Sequence, residues 1–224
     1  MVDSFKYEIL SEDYSKHDLI FKILFTGDIG VGRSVLLHKA INGIFDKNFL
    51  STVGFEFYKF NIKVEDKAIK LQLWDTCGQE VYRGLITSYY RNASLVVISY
   101  AINNRESFIH INNWLHDAKS ECNKECKFFL IGNKADLESE RSVLKEEGEK
   151  FAKDNNFDFF AETSSKTGYN VQYILIQAAK ILYFSYLENG KIVKKKEEKT
   201  DNEINKKQKL EENKYSKLMK YISY

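Results

Sequence analysis

The chain has 224 residues, enough for one sizeable core with tails, and its 34 lysines and arginines nearly balance its 32 acids. The formal charge of +2 gives no general case for nucleic acid or an acidic substrate. Three cysteines (Cys77, Cys122, Cys126) are too few for a disulfide framework and point to a reducing compartment. No signal-peptide core can be drawn near the N-terminus, and no apolar run approaches the ~18 residues of a membrane span. The expectation is a soluble, cytoplasmic protein.

Residues 1–18 are polar and charged with scattered aromatics, and read as an extension outside the core. The apolar run LIFKILFT (19–26) has strand length and ends at Gly27. From Ser34 the residues Val35, Leu36, Leu37, Ala40, Ile41 and Ile44 recur at helical spacing, with Gly43 near the stop. FYKFNIKV (57–64) and AIKLQLW (68–74) alternate apolar and polar residues about Glu65-Asp66-Lys67, which predicts a hairpin. LVVISYA (95–101), KFFLIG (127–132) and FDFFA (157–161) are further strands, separated by helical stretches over about 105–120, 142–155 and 170–187. Strands alternating with helices predict an α/β, doubly wound parallel sheet with one antiparallel strand, in a domain over 19–188. Residues 189–224 are lysine-rich and low in apolar content, and read as a flexible tail. Leu210, Leu218, Met219 and Ile222 leave a short helix there as the alternative.

GDIGVGRS (27–34) carries strand, glycine-rich loop and helix in one segment. Gly27, Gly30 and Gly32 permit close approach of a phosphate to backbone amides, and Ser34 offers a hydroxyl to Mg²⁺. The phosphate-loop pattern G-x-x-x-x-G-K-[ST] has a lysine where this chain has Arg33, so an ordinary strand-to-helix turn remains an alternative for the octapeptide alone. Three more motifs follow strands. WDTCGQE (74–80) offers Asp75 toward a metal and Gln79 toward a water; NKAD (133–136) offers Asn133 and Asp136 to a purine edge; ETSSK spans 162–166. Four such motifs in this order form a strong joint signal.

On these motifs the chain resembles the Ras superfamily of small GTPases over about residues 19–187. STVGFEF (51–57), LQLWDT (71–76), RGLITSYYR (83–91) and YAINNRESF (100–108) are closest to its Rab branch. The resemblance implies a P-loop NTPase small G domain, with a six-stranded, mostly parallel sheet, one antiparallel strand and about five helices. It implies GTP/GDP and Mg²⁺ as ligands. Gly27, Ile29, Gly30, Val31, Gly32, Arg33, Ser34 and Val35 would surround the phosphates. Ser34 and Thr52 would ligate the metal, with Asp75 acting through water. The Gly78 amide would sense the γ-phosphate, and Gln79, with Arg33 beside it, would serve hydrolysis. Phe45, Asn133, Lys134, Asp136, Ser164, Ser165 and Lys166 would hold the base, and Phe57, Trp74 and Tyr89 would form an effector-facing aromatic triad, with core packing as their alternative role. Exchange factors, GTPase-activating proteins and effectors are the implied partners of a monomer. No nucleic-acid partner is expected.

Three departures fall at the β/γ-phosphate end: Arg33 for lysine, Ile29 for a small residue, and Cys77 for alanine. Arginine keeps the charge, but its broad planar fork should displace the γ-phosphate or point away from it. Slow hydrolysis is the expectation, and a pseudo-GTPase acting as an interaction scaffold is the alternative. No cysteine follows Cys126, so C-terminal prenylation is not expected from this sequence, and contact with endomembranes would need a partner or the weak basic cluster Lys191, Lys194, Lys195 and Lys196. His116, Cys122 and Cys126 lack a fourth ligand for zinc.

Overall fold

Residues 5–46, 55–76 and 88–189 are described in the computed structural model of the chain. Seven strands form one sheet: β1 (Tyr7–Ile9), β2 (Leu19–Gly27), β3 (Phe55–Val64), β4 (Lys67–Thr76), β5 (Leu95–Ala101), β6 (Lys127–Asn133) and β7 (Phe159–Glu162). Their spatial order is β1-β3-β4-β2-β5-β6-β7. β3 runs antiparallel to both its neighbours, and the β2–β4, β2–β5, β5–β6 and β6–β7 pairs are parallel. Six strands therefore point one way and β3 the other.

The strand count exceeds the expected six because residues 7–9 add an edge strand, with Tyr7 opposite Val64 and Ile9 opposite Ile62. All three residues of β1 are exposed, so no apolar alternation marks it in the sequence. Side chains hold this segment in place. Buried Asn61 donates from Nδ2 to the carbonyls of Ser11 (2.9 Å) and Glu12 (3.1 Å), and its Oδ1 lies 3.0 Å from His17 Nε2. Asp18 accepts from the Ala68 amide at 2.8 Å.

The described residues include the helices α1 (Arg33–Asn42), α2 (Arg105–Ile109), α3 (Ile111–Glu121), α4 (Lys145–Asp154) and α5 (Val171–Asn189), a helical stretch at 88–90 and a short 3-10 turn at Glu138–Glu140. Strand periodicity divides the core into two layers. Phe21, Ile23 and Phe25 of β2, with Leu95 and Val97 of β5, pack with α1 and α5 residues such as Leu36, Leu37, Ile174 and Leu182. Leu24, Val96, Ile98 and Tyr100 face the other way, toward Phe108, Trp114, Leu115 and Ala152 of α2, α3 and α4. A central parallel strand is buried on both faces, which is why these strands read as continuous apolar runs.

The helix expected over about 105–120 is in fact two. The Asn104 side chain caps α2 by accepting from the Ser107 amide at 3.1 Å, and His110 separates it from α3. The FDFFA strand starts later than expected, at Phe159. The Phe157 amide is taken by Ala152 O (2.9 Å) in the turn that closes α4, where Asn156 adopts φ 58°. Among the described residues no helix is long and apolar enough to cross a membrane.

Candidate functional site

β2, β4, β6 and β7 all deliver a sequence motif at the carboxyl edge of the sheet, where ligands bind in doubly wound folds. The strand register fixes their relative heights: Phe25 lies opposite Asp75, Gly27 opposite Ser99, Ala101 opposite Asn133, and Gly132 opposite Glu162.

The loop after β2 is possible only with glycine at its first position. Gly27 has φ 138°, and a Cβ there would sit 2.3 Å from the Ser99 carbonyl oxygen. Gly32, at φ 94°, is the N-cap of α1 and carries no side chain to accept from the first-turn amides. Those amides, with the positive end of the helix dipole, are donors an anion takes. Gly30 also has positive φ, at 76°. Val31 is buried, Val35 is half-buried on α1, and Ile29 stands 50 % exposed at the loop's rim.

Arg33 is folded inward, with 5 % of it exposed. Its Nη1 donates to the carbonyls of Gly27 and Asp28 (2.8 Å to the latter), and its Nη2 donates to Thr76 O at 2.8 Å. Its Nε lies 3.5 Å from Asp75 Oδ1. The guanidinium thus ties the loop's own carbonyls to the end of β4. Beside it the Ser34 hydroxyl donates to Asp75 Oδ2, and Asp75 is fully buried. A hydroxyl and a carboxylate at the first turn of α1 are hard oxygen donors of the type Mg²⁺ takes, so these residues fit the ion.

Asp28 anchors the loop to α3, a role no sequence motif announced. It accepts from Trp114 Nε1 at 2.7 Å and meets His110 Nδ1 at 2.7 Å. These partners lie more than eighty residues away in the chain, so no local pattern could have found them.

At the other end of the site, Asn133 is buried and bridges two motifs. Its Nδ2 donates to Val31 O (3.0 Å), and its Oδ1 accepts from the Thr163 hydroxyl (2.6 Å). Asp136 accepts from the Ser164 hydroxyl at 2.6 Å and lies 3.9 Å from Lys166 Nζ. Lys134 takes a left-handed conformation at φ 64°, and burial holds its ammonium below the usual lysine range despite the opposing charges of Asp136 and Glu140. Ser165 is half-buried, and so is Phe45, just past the α1 stop at Gly43. Glu162 of the ETSSK motif works structurally: it takes a two-pronged pair from Arg141 at 2.6 and 2.9 Å.

Phe57, Trp74 and Tyr89 come together, with ring centroids 5.1 Å apart for Phe57–Trp74 and 5.9 Å for Trp74–Tyr89. The hairpin register sets Phe57 directly across from Trp74. Phe55, which the motif reading passed over, joins them at 5.6 Å from Trp74 and 5.2 Å from Tyr89. All four are half-buried. Thr52, Cys77, Gly78 and Gln79 lie outside the described residues.

The described part of the site joins a helix start without a side-chain cap, a serine–carboxylate pair and an Asn/Asp motif at the ends of the strands. The Ras family model matches residues 22–183, and the chain belongs to that family of small GTPases.

Proposed function

We propose that the chain is a Rab-like guanine-nucleotide switch in vesicle traffic, binding GTP and GDP with Mg²⁺ and hydrolysing GTP slowly. The observation that carries slow turnover is the inward engagement of Arg33 by Gly27 O, Asp28 O and Thr76 O. A lysine at this position acts on the phosphates as a compact point charge, whereas a guanidinium forks across several acceptors at once. Held on backbone carbonyls and beside Asp75, its charge is partly compensated before any phosphate arrives. Phosphoryl transfer depends on positioning and electrostatics, so this arrangement lowers rate more than affinity.

The rest of the chain's chemistry is binding and orientation. The α1 amides and loop backbone hold the phosphates. Asp136, seated by Ser164, accepts from the N–H groups of guanine, and Asn133 locks the base motif to the loop. Ser34, Thr52 and Asp75 would hold Mg²⁺, which when bound neutralises charge on the β- and γ-phosphates. Gln79 is the residue to orient the attacking water, and Ile29, exposed at the rim, narrows its approach. The aromatic group of Phe55, Phe57, Trp74 and Tyr89 presents the switch state to effectors. Its Rab character and its place in traffic are inferred from STVGFEF, LQLWDT and RGLITSYYR. Exchange factors and GTPase-activating proteins complete the cycle of a cytoplasmic monomer that acts at the periphery of endomembranes.

The test is nucleotide content of the purified protein, then affinity for GDP and GTP with and without Mg²⁺, then single-turnover hydrolysis. Co-purified guanine nucleotide, Mg²⁺-dependent affinity and slow turnover are expected. Absence of measurable binding would make the protein a scaffold with a GTPase fold, and ordinary fast turnover would remove the role given to Arg33.

A further inference from the structure

At the opposite end of β6 from the nucleotide site, Cys122 and Cys126 form a second chemical centre. Cys122 closes α3, its amide bonded to Ala118 O at 2.9 Å. A tight turn follows in which the Cys126 amide donates to Asn123 O at 2.9 Å, and β6 begins at the next residue. Helix end and strand start thus bring both side chains into one cluster with Ala118, Val96 and Leu130. The two sulfurs lie close enough to influence each other. Cys122 Sγ also lies 3.5 Å from Tyr90 O, and Cys126 Sγ 3.5 Å from Lys127 O.

The pair is asymmetric. Cys122 is half-buried, whereas Cys126 is 8 % exposed. Contact with Cys126, helped by the nearby Lys22 charge, holds the Cys122 thiol below the ordinary range against the opposing effect of burial. The same contact together with burial pushes Cys126 up. A half-buried sulfur that gives up its proton first beside a buried sulfur that keeps it is the division of labour between an attacking and a resolving cysteine.

We propose that Cys122 and Cys126 are a reversible oxidation site, converted by hydrogen peroxide into an intrachain disulfide across the α3–β6 turn. The Cys122 thiolate attacks one peroxide oxygen, the O–O bond breaks, and the departing hydroxide takes a proton to become water. Cys122 is then a sulfenic acid. The Cys126 thiol attacks the Cys122 sulfur, the S–O bond breaks, the S–S bond forms, and the second water leaves with the Cys126 proton. Two sulfurs give up two electrons, and one peroxide becomes two waters. A dithiol reductant reverses the step by thiol–disulfide exchange. The site lies about 20 Å along β6 from Asn133, so it stands independently of the nucleotide chemistry.

The test is a peptide map of the full chain after peroxide treatment and capping of free thiols with N-ethylmaleimide. Trypsin cuts at Lys119, Lys124 and Lys127, so the disulfide links peptide 120–124 to peptide 125–127. The expected result is this linked pair, two hydrogens lighter than the reduced peptides, and its loss with dithiothreitol. In Cys126→Ser, Cys122 is expected to stop at the sulfenic acid and be captured by dimedone. The proposal is overturned by full maleimide labelling of both cysteines at peroxide levels that oxidise free cysteine. A disulfide from Cys77 to either residue overturns it too, as does Cys122 passing to sulfinic acid while Cys126 stays a thiol.

Discussion

Replacing Arg33 by lysine separates its structural tie, seen in the fold, from the phosphate charge proposed for it. In the structure Nη2 donates to Thr76 O and Nε lies 3.5 Å from Asp75, two contacts that lie on the far side of the fork from Gly27 O and Asp28 O. A lysine ammonium can keep the loop carbonyls but leaves Thr76 O, at a buried residue, without its donor. That costs about 1–2 kcal/mol of stability. The gain is at the phosphate. A unit charge acting at about 4 Å in an effective dielectric of about 20 contributes roughly 4 kcal/mol, and at about 6 Å roughly 2.8 kcal/mol. Returning a compact charge by some two ångströms is therefore worth about 1.4 kcal/mol, or about tenfold in rate. The assay is single-turnover GTP hydrolysis with enzyme in excess and Mg²⁺ saturating, beside urea denaturation of the GDP-bound proteins. R33K should hydrolyse about tenfold faster with GTP affinity changed by only a few-fold. A variant that binds GTP equally well and turns over no faster would refute the reasoning and shift the restraint to Ile29.

Gly27→Ala should destabilise the protein by at least about 2 kcal/mol in urea denaturation, because φ 138° is strained for alanine and the Cβ meets the Ser99 carbonyl at 2.3 Å. Wild-type stability in that variant would contradict the loop geometry. Asp136→Asn keeps an acceptor for the Ser164 hydroxyl but loses the carboxylate, so GDP should bind more than a hundredfold more weakly, about 3 kcal/mol, by fluorescence titration, with the fold intact by circular dichroism. Asn61→Ala removes donors to Ser11 O and Glu12 O and the partner of His17, at about 1–3 kcal/mol. Amides of residues 5–18 should then exchange with deuterium much faster than those of β5, and unchanged protection would show that backbone pairing alone holds the segment. Cys122 should alkylate with iodoacetamide at a lower pH than Cys126, since its thiolate forms first; the reverse order would reassign the attacking sulfur.

The alternation of strands and helices is legible from the residues alone, because central parallel strands are buried on both faces and must be apolar throughout. The glycine turn after β2 and the Asn133–Asp136 motif where β6 ends were legible too, because each needs particular residue types at fixed short spacing, with glycine where φ is positive. The rest depends on contacts between segments distant in the chain, which become visible once the chain is folded. β1 has no apolar pattern of its own and exists because the β3 edge and Asn61 hold it. Trp114 and His110 read as ordinary residues of a helical stretch, yet both converge on Asp28. Cys122 and Cys126 looked like an incomplete metal set until the turn brought both into one apolar cluster. Arg33 was visible as a departure from the lysine of the pattern, but not which way its fork would turn. That direction depends on three backbone carbonyls and one carboxylate assembled from β2, the loop and β4, and no stretch of sequence contains them all.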